Sequence, residues 1–244
     1  MKIGQANASI ISELRKKVET RVQQAKNLSE AAEGLTSEIY NQFSDSVVLA
    51  RLFVTVPFGD LPTTIKQFVQ NLAKSAGADK ALKNTTPVLS LLGTTGQETD
   101  WNSPSNSKGH RGIPLISSAF VSAIPMISRL LKELGIPIGW IDSHDSEIIK
   151  KSVGTAAGFF FVDDAAQATD NEGRKIIAAQ DFVSRYNVKS VFGIGEAYAN
   201  GQMAVNIVFC RDSFARSSVE HFLNLISSFK NTSAPLVASS KLFV

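Results

Sequence analysis

Apolar residues near the start of the chain recur in steps of three and four, the spacing of one face of an α-helix. Charged and amide side chains fill most of the intervening positions, as on a solvated helix face. The pattern predicts a long amphipathic helix, with Gly34 as a candidate break before a shorter helix around 35–42. Arg21 fills one position of this heptad stripe, and the others are Ile11, Leu14, Val18, Ala25, Leu28, Ala32, Leu35 and Ile39.

Two interpretations of the heptad stripe stay open at this point. The helix either packs its apolar face against its own domain, or it pairs with a second chain as a coiled coil. Alanines and Arg21 in the seam weaken the second interpretation, because a coiled-coil seam is built from larger apolar side chains.

The centre of the chain alternates between strand and helix patterns. Residues 47–54 are β-branched, aliphatic and aromatic apart from Arg51, and Pro57 and Gly59 end the run, which predicts a strand. Residues 63–76 carry apolar side chains at helical spacing. Residues 87–92 form a second apolar run and predict another strand.

The turn-rich segment 93–112 follows, and long loops of this kind are commonly functional. A helix is predicted from Pro125, which suits a first helical position, to a stop at Gly135, with 118–124 as a preceding helical piece. Segments 138–141 and 158–162 are short strand candidates, and 176–186 is predicted to be helical.

The stretch VFGIGEAYANGQMAVNIVF, residues 191–209, contains Gly193 and Gly195 and so resembles a phosphate-binding loop. Such a loop needs a helix after its glycines, whereas Asn200-Gly201 is a strong hairpin pattern followed by a second strand. We therefore predict a β-hairpin, in which the two glycines are bulge or close-packing positions within a strand.

The end of the chain predicts one more helix, which begins at a capping-box pattern from Ser217 to Glu220. The tail, residues 232–244, is predicted to be loosely ordered. Since the hairpin strands are adjacent in sequence, the whole order of elements predicts an α+β fold with a central antiparallel sheet flanked by helices.

Composition excludes several classes of protein. Apolar residues make up 43 % and charged residues 19 %, which is ordinary globular composition, and the formal charge is only +3. A basic patch for nucleic acid is therefore not expected. A membrane-spanning helix needs about 20 consecutive apolar residues, and every apolar run in this sequence is much shorter. The single cysteine, Cys210, allows no internal disulfide, and a cytoplasmic protein is predicted.

Two segments resemble the GAF-like sensory domains of bacterial PAS and histidine-kinase signalling proteins. They are LLGTTGQETDWNSPSNSKGHRGIPL with the following IPMISRLLKELGI, and AAQDFVSRYNVKSVFGIGEAYANGQMAVNIVF. Trp101-Asn102, Gly109-His110 and Ile113-Pro114-Leu115 are the most specific part of the resemblance, which covers residues 35–231.

The resemblance implies a GAF/PAS-like sheet with a small-molecule pocket on one face. It also implies terminal helices that pair in a homodimer, and a histidine kinase or another signalling partner. Its domain division is a helix over 1–34, a GAF-like domain over 35–231 and a tail over 232–244. The cofactor and the ligand stay unknown. Some GAF-fold proteins reduce methionine sulfoxide with cysteine pairs, which one thiol cannot provide.

Candidate ligand-binding residues lie in the long loop, where an aromatic ring and several donors can close over a small polar or anionic molecule. Arg111 is the predicted anion contact, since its planar fork suits a carboxylate. The alternative is that Trp101 fills the core and His110 caps a backbone group. The candidates are Trp101, Asn102, Ser107, His110 and Arg111.

Other residues carry weaker predictions. Segment 142–147 holds three carboxylates and His144, but its spacing fits no known metal loop, and a solvated acidic turn is favoured. Asp163-Asp164 is interpreted as a helix cap. Cys210 is interpreted as a buried small residue.

Three functions follow from these patterns. The first is a dimeric GAF-like sensory or regulatory domain that binds a small molecule and is not an enzyme. The second is a small enzyme with His110 or Asp163 as its acid-base group. The third is an interaction module whose own side chains fill its pocket.

Overall fold

The structure is a computed structural model that describes residues 1–107, 109–143 and 157–243. In this part of the chain, strands form one antiparallel sheet in the order β3-β2-β1-β6-β5-β4. The strands are β1 (Val47–Pro57), β2 (Pro87–Gly96), β3 (Gly112–Pro114), β4 (Ala157–Val162), β5 (Ser190–Ala197) and β6 (Met203–Cys210). The predicted α+β architecture with a central antiparallel sheet is confirmed.

Helices cover both faces of the sheet. The described α-helices are α1 (Ala8–Gln24), α2 (Leu28–Gln42), α3 (Thr63–Ser75), α4 (Ser118–Ser122), α5 (Pro125–Glu133), α6 (Gln180–Arg185), α7 (Ser217–Glu220) and α8 (Leu223–Ala238). Successive strand residues point to opposite faces, so Leu52 of β1 joins the core under α1, α2 and α8, whereas Phe53 joins the core under α4, α5 and α6.

The N-terminal segment differs from the single long helix predicted for it. The chain breaks at residues 25–27 and not at Gly34, because Asn27 caps α2 by accepting a 2.9 Å hydrogen bond from the backbone N–H of Glu30. The Glu30 side chain in turn accepts from the backbone N–H of Lys26 at 2.9 Å. The first bond satisfies an N–H group that a helix start leaves free, the second ties the residue before the cap to the first turn of α2, and together they fix the break.

The heptad stripe is covered by the chain itself. Ile11, Leu14 and Val18 are buried in the core shared by α1, α2 and α8. Of the two interpretations, packing on its own domain is therefore the one the structure shows, and the stripe is not free to form a two-chain coiled coil. The homodimer itself stays a prediction.

The C-terminal residues do not form the loosely ordered tail that was predicted. Helix α8 continues to Ala238, and the carbonyls of Lys241 and Leu242 accept hydrogen bonds from Leu28 N and Ser29 N at 2.8 and 3.0 Å. The prediction is wrong because the first turn of α2 has free N–H groups, and the returning chain satisfies them.

The predicted hairpin is confirmed. Residues 198–202 connect β5 to β6, and Gly201 has a φ of 82° in this turn. Gly195 lies inside β5, and a Cβ there would approach Leu134 Cδ1 to 2.8 Å. The glycine therefore allows the segment just after α5 to pack closely on the sheet, and the phosphate-loop alternative is wrong.

Two of the shorter predictions need correction. Segment 138–141 is part of a 3-10 turn, Ile138–Ser143, and not a strand, because a short apolar run does not distinguish a buried turn from a strand. The predicted helix over 176–186 is helical only over Gln180–Arg185. Ile176 and Ile177 instead lie buried in a loop that crosses the sheet face.

Helix α2 packs on β2 at Gly93, and this contact generates a prediction. A Cβ at Gly93 would lie 2.4 Å from the carbonyl carbon of Ala32 in the α2 backbone. Gly93→Ala is expected to lower the free energy of unfolding by about 2 kcal/mol or more, because backbone must move to relieve the overlap. Urea unfolding followed by circular dichroism measures this loss.

The matched control for this substitution is Gly139→Ala, since a Cβ at Gly139 meets no atom within 4 Å. The control is expected to change the free energy of unfolding by less than about 0.5 kcal/mol. Equal stability of the two variants would contradict the proposed close approach of α2 to β2.

Candidate functional site

A cavity of about 430 Å³ lies on the sheet face opposite α1, α2 and α8. Its floor comes from β1, β2 and β6, and its walls come from the loop before β3, the start of α5, the loop 176–179 and α6. The lining residues are mainly apolar: Leu49, Arg51, Thr94, Trp101, Ser107, Gly109, His110, Ile124, Pro125, Met126, Ile176, Ile177, Ala178, Ala179, Phe182 and Phe209.

Arg51 is the charged residue among these described lining residues. It lies in the middle of β1, between Thr94 on β2 and Ile207 on β6. Its Nη2 donates to Ser107 Oγ at 2.7 Å and to the carbonyl of His110 at 3.0 Å. The strand thus projects a guanidinium into the cavity, where it holds the loop that precedes β3.

The charge of Arg51 is not balanced by the described part of the protein. No carboxylate of the described residues lies within 4.0 Å of it as an ion pair, and none lines the cavity. Burial lowers the pKa of Arg51 to about 10, so the group is still charged at neutral pH. The cavity therefore has a positive floor and largely apolar walls.

Three of the five sequence-predicted residues line this cavity: Trp101, Ser107 and His110. The Trp101 ring also packs edge-on against Phe182 and Tyr186, with centroids 5.7 and 4.7 Å apart. Trp101 therefore packs against α6 and also lines the cavity, and its contact with a ligand stays a prediction.

The other two predicted residues lie elsewhere. Asn102 Oδ1 accepts a 2.8 Å hydrogen bond from Gly96 N, and the residue lines a separate surface groove beside α2. Arg111 does not line the cavity, and its carbonyl accepts from Leu91 N at 2.9 Å. The cation of the cavity is therefore Arg51 and not the predicted Arg111.

Among the described residues that line the cavity, His110 is the histidine. Burial and, after it, the positive charge of Arg51 lower the pKa of His110 below its usual value, so the ring is neutral at pH 7. In the described part of the chain neither ring nitrogen has a hydrogen-bond partner. A neutral imidazole therefore offers one donor and one acceptor to a molecule in the cavity.

The remaining candidates lie away from the cavity. Asp163 is exposed at the end of β4, and Asp164 Oδ1 accepts from Ala166 N and Gln167 N, which caps a turn and not the predicted helix. Cys210 is fully buried, as predicted, and burial raises the pKa of its thiol well above the usual value.

The described residues contain no cluster of three or more His, Cys, Asp or Glu side chains that could hold a metal ion. Residues 144–147 of the acidic segment considered above lie outside the described residues. Among the helices that the structure describes, none is both long enough and apolar enough to cross a membrane.

Sequence comparisons found no relative: no protein-family model matches the chain, and no curated protein matches it. Structural comparison is more informative. The chain is similar to the GAF domain of a phosphoenolpyruvate-protein phosphotransferase from Coxiella burnetii, with a TM-score of 0.52, 11 % identity and coverage of 97 % of this chain and 100 % of that one.

Two further solved structures are similar over nearly their whole length. The free methionine-R-sulfoxide reductase of Neisseria meningitidis, in complex with its substrate, has a TM-score of 0.52, 9 % identity and coverage of 96 % and 95 %. The phycoerythrobilin-bound GAF domain of a cyanobacterial phytochrome has a TM-score of 0.50, 10 % identity and coverage of 97 % and 99 %. At such low identity these similarities establish the architecture, and the chain has the fold of GAF domains.

Proposed function

We propose that this chain is a GAF-like sensory or regulatory domain of bacterial signal transduction that binds a small molecule in the cavity over Arg51. The observation that carries the proposal is the cavity itself, since its volume of about 430 Å³ falls in the range of small-molecule sites. Few polar groups converge in it, and its other walls are apolar, which is typical of such sites.

The similar structures support a binding role for the fold. The phytochrome GAF domain holds phycoerythrobilin, and the reductase is in complex with its substrate. Neither likeness identifies a ligand for this chain, because the identities are only 10 % and 9 %.

A route from the cavity to the N-terminal helices runs through β2. Thr94 lines the cavity, while the neighbouring Thr95 Oγ1 lies 3.0 Å from Thr36 Oγ1 of α2 on the opposite face. A ligand that displaces β2 therefore acts directly on α2. It shifts the helices only if it contacts two arrangements of the protein differently. The homodimer and a histidine-kinase partner stay predictions.

Catalysis with His110 or Asp163 as the acid-base group is supported less well. Asp163 does not line the cavity, and no described lining residue is a carboxylate that would orient His110. Methionine sulfoxide reduction would need a second thiol, and Cys210 is the only cysteine and is buried. A module that fills its own pocket is disfavoured by the open cavity.

Ligand binding in the cavity is tested with Trp101 as the reporter. Trp140→Phe leaves Trp101 as the single tryptophan, and it lines the cavity. We expect native mass spectrometry of the purified chain to show a bound small molecule. We also expect that molecule, once extracted and added back, to change Trp101 fluorescence and raise the unfolding temperature.

Ala178→Phe adds a ring at the mouth of the cavity and is expected to abolish both changes. Ala81→Phe, at an exposed position in the turn after α3, is the matched control and is expected to bind as the parent does. The proposal is wrong if no molecule copurifies and no compound of a metabolite library changes Trp101 fluorescence or unfolding temperature.

The charge of Arg51 is expected to be visible in the titration of His110. Because Arg51 contributes to the lowered pKa, Arg51→Gln is expected to raise the pKa of His110, although burial still holds it below the usual 6.5. Imidazole resonances recorded by NMR against pH measure this, with His110→Gln used for assignment. Arg111→Gln is the control, and an identical His110 titration in Arg51→Gln and the parent would contradict the electrostatic coupling.

The same shift predicts how stability depends on pH. The unfolded chain binds a proton at His110 more readily than the folded chain does, since the folded pKa is lowered. The free energy of unfolding is therefore not reduced by His110 above about pH 6.5, and it decreases as the pH falls below that value, because protonation of His110 favours the unfolded chain. Urea unfolding at a series of pH values is expected to show a smaller decrease in His110→Gln than in the parent.

A further inference from the structure

The positive charge of Arg51 needs an anion that the described protein does not supply. Arg51 is half-buried and its guanidinium lies 5.2 Å from the centroid of the Phe53 ring, but a charge removed from water in a protein is normally also paired with an opposite charge. Both hydrogen bonds of the guanidinium are donated by Nη2 to neutral oxygens, those of Ser107 and the His110 backbone. Nε and Nη1 have no hydrogen-bond partner in the described residues, so donors are available to a bound molecule.

Gly109 keeps the space beside Nη1 open. A Cβ at this position would lie 3.3 Å from Arg51 Nη1 and 4.0 Å from Ser107 Oγ. Both Gly109 and the guanidinium line the cavity. An anionic oxygen can therefore approach Nη1 from the cavity, with the Ser107 hydroxyl and the His110 ring nearby as neutral hydrogen-bonding groups.

The rest of the cavity suits an uncharged, apolar group. Leu49, Ile177 and Met126 are aliphatic lining residues, and Trp101 and Phe182 add aromatic rings. These surfaces gain from burying hydrocarbon or an aromatic ring and offer it few hydrogen bonds. The body of the ligand is therefore expected to be aliphatic or aromatic.

The expected charge of the ligand follows from the single positive charge of Arg51. One guanidinium compensates one negative charge, so a phosphate dianion would keep an unbalanced charge in an apolar cavity. An ammonium group, as in an amino acid, would find no carboxylate among the described lining residues. A carboxylate is the single-charged anion whose two oxygens suit a guanidinium.

We infer that the cavity selects a small monocarboxylate with an aliphatic or aromatic body, and that Arg51 binds its carboxylate while Gly109 leaves room for that contact. The inference rests on the proposed function and specifies its ligand class.

The test compares compounds that have a phenyl or an aliphatic body and differ in their polar group. The set comprises 3-phenylpropanoate, 3-phenylpropanamide, 3-phenylpropan-1-amine and phenyl phosphate, with octanoate and octanamide as the aliphatic pair. Binding to the full chain is measured by isothermal titration and saturation-transfer NMR. The better carboxylate is expected to bind at least about tenfold tighter than its amide, as a charge-assisted hydrogen bond provides. The amine and phenyl phosphate are expected to bind more weakly.

Variants assign this preference to residues. Arg51→Gln is expected to bind acid and amide equally, and Arg51→Lys to keep part of the preference, because it keeps the charge but not the fork. Gly109→Ala leaves the charge in place, crowds Nη1, and is expected to weaken the acid severalfold while the amide is unaffected. Arg111→Gln is the matched control, outside the cavity lining, and is expected to behave as the parent. Circular dichroism confirms that each variant is folded.

The outcomes separate this inference from the proposed function. Equal affinity of the parent for acid and amide, or tighter binding of phenyl phosphate, shows that the cavity binds small molecules but that the ligand class is wrong. Copurification of a neutral or cationic molecule would likewise show that the cavity binds small molecules and that a monocarboxylate is the wrong ligand class. If no carboxylate of the set binds, the inference is wrong. The proposed function fails as well only if nothing copurifies and no library compound changes Trp101 fluorescence or unfolding temperature.

Discussion

A single positive charge at the centre of an apolar strand constrains the site on this protein. Arg51 lies between residues of both neighbouring strands, and the loop before β3 is held to it by Ser107 and the His110 backbone. The same charge helps to keep the His110 ring neutral. Arg51 thus contributes to the position of the loop, to the polarity of the cavity and, after burial, to the neutral state of the imidazole.

The sheet separates two apolar cores that differ in how completely they are packed. On one face, α1, α2 and α8 pack on a continuous set of apolar side chains, and the carbonyls of Lys241 and Leu242 cap the start of α2 there. The other face is covered by short helices and loops, which leave the cavity between them. Tight packing on one side supports a rigid floor for the less complete packing on the other.

The sequence predicted elements whose pattern is local, and it failed where distant segments meet. The strand at 47–54, the helix after Pro125 and the hairpin at Asn200-Gly201 were identified correctly, because each follows from the spacing of its own residues. The break at residues 25–27 carried a local cap in Asn27 and Glu30, but the heptad pattern continued through it and concealed it. The ordered tail was not predictable, because Leu242 of the tail accepts a hydrogen bond from Ser29, which is 213 residues away in the chain.

The site was predicted in part for the same reason. Trp101, Ser107 and His110 were found because they share one loop, whereas the walls at Ile177 and Met126 reach the cavity only through the fold. Arg51 was overlooked although it carried a visible sign, since a lone arginine inside an apolar strand is unusual in a buried element. Arg111 was chosen because it lies in the long loop and its planar fork suits a carboxylate, and the structure places it outside the lining.

The contact between Gly93 and the backbone of Ala32 has a mechanical consequence. The α2 backbone can approach β2 this closely only at Gly93, which has no side chain. Sliding of α2 along the strand would bring its backbone against the side chain of a neighbouring β2 residue, so the contact resists sliding. Tilting about Ala32 disturbs the contact least. Any tilt of α2 that keeps this contact would therefore displace the ends of the helix more than its centre.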